Sequence, residues 1–320
     1  MTALPVAALT RWWMHFWFEP SAASNLGIAR LLFFGLLLLV YLREDFSAWG
    51  GVSPTFWMPL WMFKYTGITP LGADSLAVLQ ICWKVSMLLS AVGLLSRVSM
   101  VVAFVSGTYL FALPHNFGQT FHFDALLVIA MGVLALSHAG AAWSIDALIA
   151  ARRDPSREPP HSAEFTWPAR LIWVAMAFVF FGAGFSKLRH AGIDWVLSDT
   201  MQTFLIRAHY GVSDADPFVS WGLILSQWPW GPRVLAAIAL GTEVLFPLAL
   251  VSVKARRVLV PASFCMLLGI RALMGPTFGG FLVAYVFWPQ WTAVGQRLRA
   301  WIPGKPVPTI GAQRIAHPHT

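Results

Sequence analysis

The stretch FVFFGAGFSKLRHAGIDW, residues 178–195, decides how the rest of the chain is read. From Leu171 to Ser186 no residue is charged, and Lys187 then follows. A helix needs about 20 mostly apolar residues to cross the hydrocarbon core of a bilayer, and residues 167–187 supply that length. A lysine closing such a span either anchors it at the interface or carries proton chemistry, since an ionisable group at membrane depth is costly and kept for a reason.

Composition extends that reading to the whole chain. Of 320 residues 58% are hydrophobic and 11% charged, against about 25% charged in a soluble domain. The surface cannot be covered with polar groups, so the lipid bilayer is the expected partner. The formal charge of +8 falls between apolar runs rather than along one stripe, which excludes a nucleic-acid reading and follows the positive-inside rule. Cys82 and Cys265 lie far apart in apolar runs, without redox or metal spacing. Arg11 is followed by Trp12, Trp13 and Phe16, an interfacial opening rather than a cleaved leader.

Eight candidate spans follow, near 25–42, 75–95, 98–114, 122–139, 167–187, 234–252, 257–273 and 278–294. The fold class is an all-α polytopic transmembrane bundle over 1–294, with a basic tail over 295–320. With eight crossings, Arg11, Arg97, Arg152, Arg153, Lys254, Arg256 and Arg297 share one side, which predicts cytoplasmic termini. The opposite loops are aromatic, with Trp57, Trp61, Trp221, Trp228 and Trp230. Two connections are long. Residues 140–166, with ARRDPSREPPHS, read as an exposed cytoplasmic linker; residues 188–233 read as short interfacial helices over the outer end.

Five ionisable groups fall within or at the ends of spans: Arg30, Lys84, His122, Lys187 and Glu243. Arg30, one turn into the first span, is expected to snorkel to the headgroups. Lys84 and Glu243 sit near the middle of theirs, so a buried pair between the second and sixth spans is expected, as structural glue or as part of a polar cavity. His122 and Lys187 fall at the outer ends of consecutive antiparallel spans and share a depth, with Asp124, Asp194 and Trp195 nearby. A desolvated lysine can act as a base and a histidine can steady an anion; an interfacial lysine and a capping histidine would leave the same pattern. Nine histidines invite a haem reading, but His115 and His138 fall at opposite ends. No zinc motif, phosphate loop or Ser-His-Asp arrangement is present, so no metal is expected.

Three segments are similar to the membrane domain of vitamin K-dependent gamma-carboxylase and its bacterial relatives, the horizontally transferred transmembrane (HTTM) family. They are EPSAASNLGIARLLFFGLLLL at 19–39, HFDALLVIAMGVLALSHAGAAWSIDAL at 122–148 and, most specific, FFGAGFSKLRHAGIDWV at 180–196. By motif position the resemblance implies that Lys187 is the base that deprotonates a quinol such as menaquinol or vitamin K hydroquinone. It likewise places the functional histidine at His122 and the acidic position of the sixth helix at Glu243. One departure is SFCMLLGIRALMGPTFGGF, 263–281: the family's seventh helix carries a histidine, and this stretch contains none, only Arg271. The sequence stops soon after the eighth span, at IPGKPVPTIGAQRIAHPHT, so peptide carboxylation by this chain alone is not expected.

The sequence thus supports a quinol-dependent enzyme of a bacterial inner membrane, or a non-catalytic scaffold or partner subunit of a redox system. A transporter built on Lys84 and Glu243 fits less well, because matching halves with broken helices are missing.

Overall fold

The computed structural model describes residues 3–119, 124–156, 160–211 and 219–300. Helices account for nearly all of its regular structure: α1 (Ala3–Phe18), α2 (Ala23–Tyr41), the short α3 (Trp61–Thr66), α4 (Ala73–Val92), α5 (Ser96–Asn116), α6 (Ala125–Leu136), α7 (Ile145–Arg153), α8 (Trp167–Ala191), α9 (Asp194–Leu197), α10 (Thr200–Gly211), α11 (Val219–Ser226), α12 (Gly231–Leu245), α13 (Leu248–Val251), α14 (Val253–Met274), α15 (Gly279–Val283) and α16 (Trp291–Ala300). Five runs are long and apolar enough to cross a membrane: Ala23–Tyr41, Ala73–Val92, Ser96–Asn116, Ala163–Ala191 and Val253–Met274. They cover the first, second, third, fifth and seventh of the eight ranges. The fourth holds the shorter α6, the sixth is divided between α12 and α13, and the eighth holds α15 and a 3-10 turn before α16. Pro247 begins the break in the sixth range, where the helical hydrogen-bond ladder loses a donor.

The helices are apolar on both faces. On α2 the inward set is Leu26, Ala29, Phe33, Phe34 and Leu37, the three- and four-residue spacing of one helical face. On α4 an outward stripe of Val78, Ile81, Val85 and Leu88 is at least half exposed. Apolar faces turned both ways suit a bundle surrounded by lipid. Since lipid is as apolar as leucine, close helix contact rather than water exclusion holds such a bundle together. Glycines permit it: a Cβ on Gly107 would fall 2.7 Å from Met131 Cε, and one on Gly132 would fall 2.9 Å from Phe104 Cε2.

α2 and α8 start side by side. Ser21–Ala22 (β1) pairs antiparallel with His161–Ser162 (β2), the Ala23 amide donates to Pro160 O at 3.0 Å, and Thr166 Oγ1 donates to Glu19 O at 2.5 Å. The two helices run from this clasp toward Tyr41 and Lys187. The stretch expected to be a linker is in large part ordered. α7 starts within it, capped by the Ser144 hydroxyl, which accepts from Ala147 N at 2.9 Å. The outer segment forms α9, α10 and α11.

Candidate functional site

α8 and α12 pack along their lengths, and Gly184 sets how closely. A Cβ there would fall 3.0 Å from Glu243 Cβ and 3.0 Å from the Val244 amide nitrogen. One helical turn beyond Gly184, Lys187 reaches across this seam, and its Nζ donates to both Glu243 carboxylate oxygens. The side chains are 23% and 7% exposed, so the lysine faces an opening and the acid is sealed behind it. Trp195, in the turn of α9, covers the ammonium at 5.2 Å from its ring centroid. The Trp195 Nε1 is buried without a hydrogen-bond partner among the described residues. Asp194, one residue earlier, is exposed and contributes no side-chain bond to the cluster.

The expected Lys84–Glu243 pair is not formed. Lys84 Nζ instead donates to Leu42 O at 3.1 Å and Glu44 O at 2.8 Å. α2 stops at Tyr41 alongside the middle of α4, so the lysine meets the unpaired carbonyls just beyond a helix end, where a cation is favoured. Glu243 takes its partner from the adjoining α8.

Arg30 does not snorkel. It is fully buried, and its Nη2 donates to Trp143 O at 2.5 Å and Ala91 O at 3.4 Å. The side chain points inward because α4 ends beside it. Gly93 turns in the left-handed region at φ 70°, and its N–H closes onto Leu89 O at 2.8 Å. A Cβ on Gly93 would fall 2.3 Å from Arg30 Nη1. Asp146 finishes the assembly by accepting from Leu95 N at 2.9 Å and from Ser96 N and Oγ at 2.7 Å each. The WSIDAL segment, 143–148, is thus a lock joining α2, α4, α5 and α7.

Asp124 stands at the start of α6 and accepts from the Tyr41 hydroxyl at 2.9 Å. Tyr41 escaped the sequence reading because an interfacial tyrosine is the ordinary explanation for that position. Gly184 escaped it too, although it stands three residues before Lys187 on the same helical face. His122 lies outside the described residues.

The model of the HTTM domain, the domain shared with vitamin K-dependent gamma-carboxylase, matches residues 18–268. The chain belongs to the HTTM family. The matched span of this HTTM domain runs from the end of α1 into α14 and holds Arg30, Lys84, Asp124, Lys187, Asp194, Trp195 and Glu243. No curated protein and no solved structure matches the chain.

Proposed function

We propose that this multi-pass HTTM protein handles a lipid-soluble quinol in a bacterial inner membrane, crossing it about eight times with both termini cytoplasmic. The reacting group is Lys187. The observation that carries the reading is the Lys187–Glu243 pair itself, set between a long apolar run and an aromatic cover. A quinol entering the seam draws Lys187 off Glu243, the ammonium leaving a proton on the carboxylate along their hydrogen bond. The amine then accepts the quinol hydroxyl proton. Lysine becomes ammonium beside the quinolate it has produced, the carboxyl stays neutral, and charge balances. His122 is the expected second group toward the anion.

The test compares Lys187→Arg with the charge-free double variant Lys187→Met/Glu243→Gln. Purified wild type should carry quinone in its lipid extract and turn over added quinol. Arginine keeps the charge but cannot accept a proton, so Lys187→Arg should keep the fold and lose turnover. Full turnover by Lys187→Arg would overturn the reading. A second reading, a scaffold subunit, draws on the same pair: two groups that neutralise each other need no substrate. Under it all three proteins lack turnover and carry no quinone.

A further inference from the structure

At the end of the bundle opposite Lys187, a groove of about 680 Å³ opens between α2, the end of α4 and α7. Leu31, Val92, Trp143, Ile145, Ala147 and Leu148 are among its walls. Several of these also turn outward: Trp143 is 58% exposed and Leu148 65%. Trp143 holds a left-handed backbone at φ 53°, a costly conformation for a bulky residue. Its carbonyl is fixed by the buried Arg30, so the fold stores strain to set an indole on the lip of this groove. Indoles favour the level of the lipid headgroups.

The last turn of α7 carries Arg152 and Arg153, next to the wall residue Ala151. Both arginines are exposed and make no ion pair among the described residues. The neighbouring Asp154 already accepts from Ser156 N at 3.1 Å and Ser156 Oγ at 2.6 Å. Asp146 is held by Leu95 and Ser96. Two cations without an ion pair among the described residues therefore end the helix that walls an apolar slot, and the lip of that slot carries an interfacial aromatic.

We infer that this groove is a binding site for one anionic phospholipid, with an acyl chain between α2 and α7 and its phosphate against Arg152 and Arg153. Charge complementarity selects the occupant. A zwitterionic lipid has the chain but its phosphate is already neutralised, and a free phosphate has the charge but nothing to fill the slot. Basic pockets between membrane helices commonly hold such headgroups.

Native mass spectrometry of the full chain in detergent tests the site, with phosphatidylglycerol, phosphatidylcholine and glycerol phosphate added in turn. Wild type should retain one phosphatidylglycerol in preference to phosphatidylcholine and no glycerol phosphate. The Arg152→Gln/Arg153→Gln variant alters only exposed side chains and should lose that preference by roughly thirtyfold, the worth of two arginines near a lipid surface. Ala147→Trp fills the slot and should remove the retained lipid of either kind. Equal retention of the two lipids by wild type would overturn the proposal. So would a preference that survives the arginine changes, a lipid retained by Ala147→Trp, or a retained isoprenoid in place of the phospholipid.

Discussion

Gly184 lies against Glu243 across the α8–α12 seam, its absent side chain leaving only 3.0 Å between a would-be Cβ and the acid's own Cβ. That closeness lets Lys187, one turn on, span to the carboxylate with both oxygens engaged. Gly184→Val should force the helices apart at a cost of about 1–3 kcal/mol and weaken the pair with no change of charge. Thermal unfolding in nanodiscs checks the cost, and a cross-link between cysteines placed on α8 and α12 reports the separation.

Breaking the pair from one side should be worse than removing it. Lys187→Ala strands a carboxylate that is 7% exposed, a loss of about 3–5 kcal/mol for an uncompensated buried charge. Lys187→Met/Glu243→Gln should recover most of it. A single lysine change that costs as much as the double change would show that the two groups are not coupled.

Arg30→Leu should release the carbonyls of Trp143 and Ala91 and cost about 1.5–3 kcal/mol for hydrogen bonds made by a charged donor. The loss should appear locally, as faster hydrogen exchange over 143–153, while α8 and α12 keep their protection. Arg30→Lys should rescue only part, because the point-charge ammonium lacks the fork that spans two carbonyls.

Asp146 gives an acid limb to stability. Burial alone would push its carboxyl up, but the bonds from Ser96 and Leu95 and the charge of Arg30 outweigh that and hold it below the ordinary carboxylate range. A folded-state pKa below the unfolded one contributes stability that is present above the unfolded value and lost as pH falls through the folded one. Unfolding temperature should therefore drop below about pH 4. Asp146→Asn should lower it at neutral pH and flatten the acid drop.

Lys84→Gln separates this lysine from the site. It should remove a cation from the carbonyls that follow α2, costing about 0.3–1 kcal/mol, and leave bound quinone unchanged in the lipid extract.

The apolar runs of α2, α4, α5, α8 and α14 were legible because length and hydropathy suffice for a helix surrounded by lipid. Lys187 was legible as a lone cation after sixteen uncharged residues, 171–186. Its partner was not. Span position suggested Lys84 for Glu243, but depth follows where helices start and stop, and α2 ends level with the middle of α4 rather than at its foot. Arg30 shows the same limit. One turn into a span, an arginine reads as a snorkeller until a neighbouring helix ends beside it and offers carbonyls. The order within 140–166 was hidden because its proline-rich portion masked the capping serine, Ser144, that starts α7.

The clasp between β1 and β2 gives α8 a fixed foot. Lys187 stands 20 residues along α8 from Trp167, about 30 Å at 1.5 Å per residue, so a tilt of some four degrees about that foot moves Lys187 by roughly 2 Å while Trp167 stays in place. The lever arm is longest where the proton chemistry is proposed and shortest at the tethered end. A helix held this way can widen the seam at Gly184 and Glu243 without disturbing the lock at Arg30, leaving one end of the bundle to yield while the other keeps its shape.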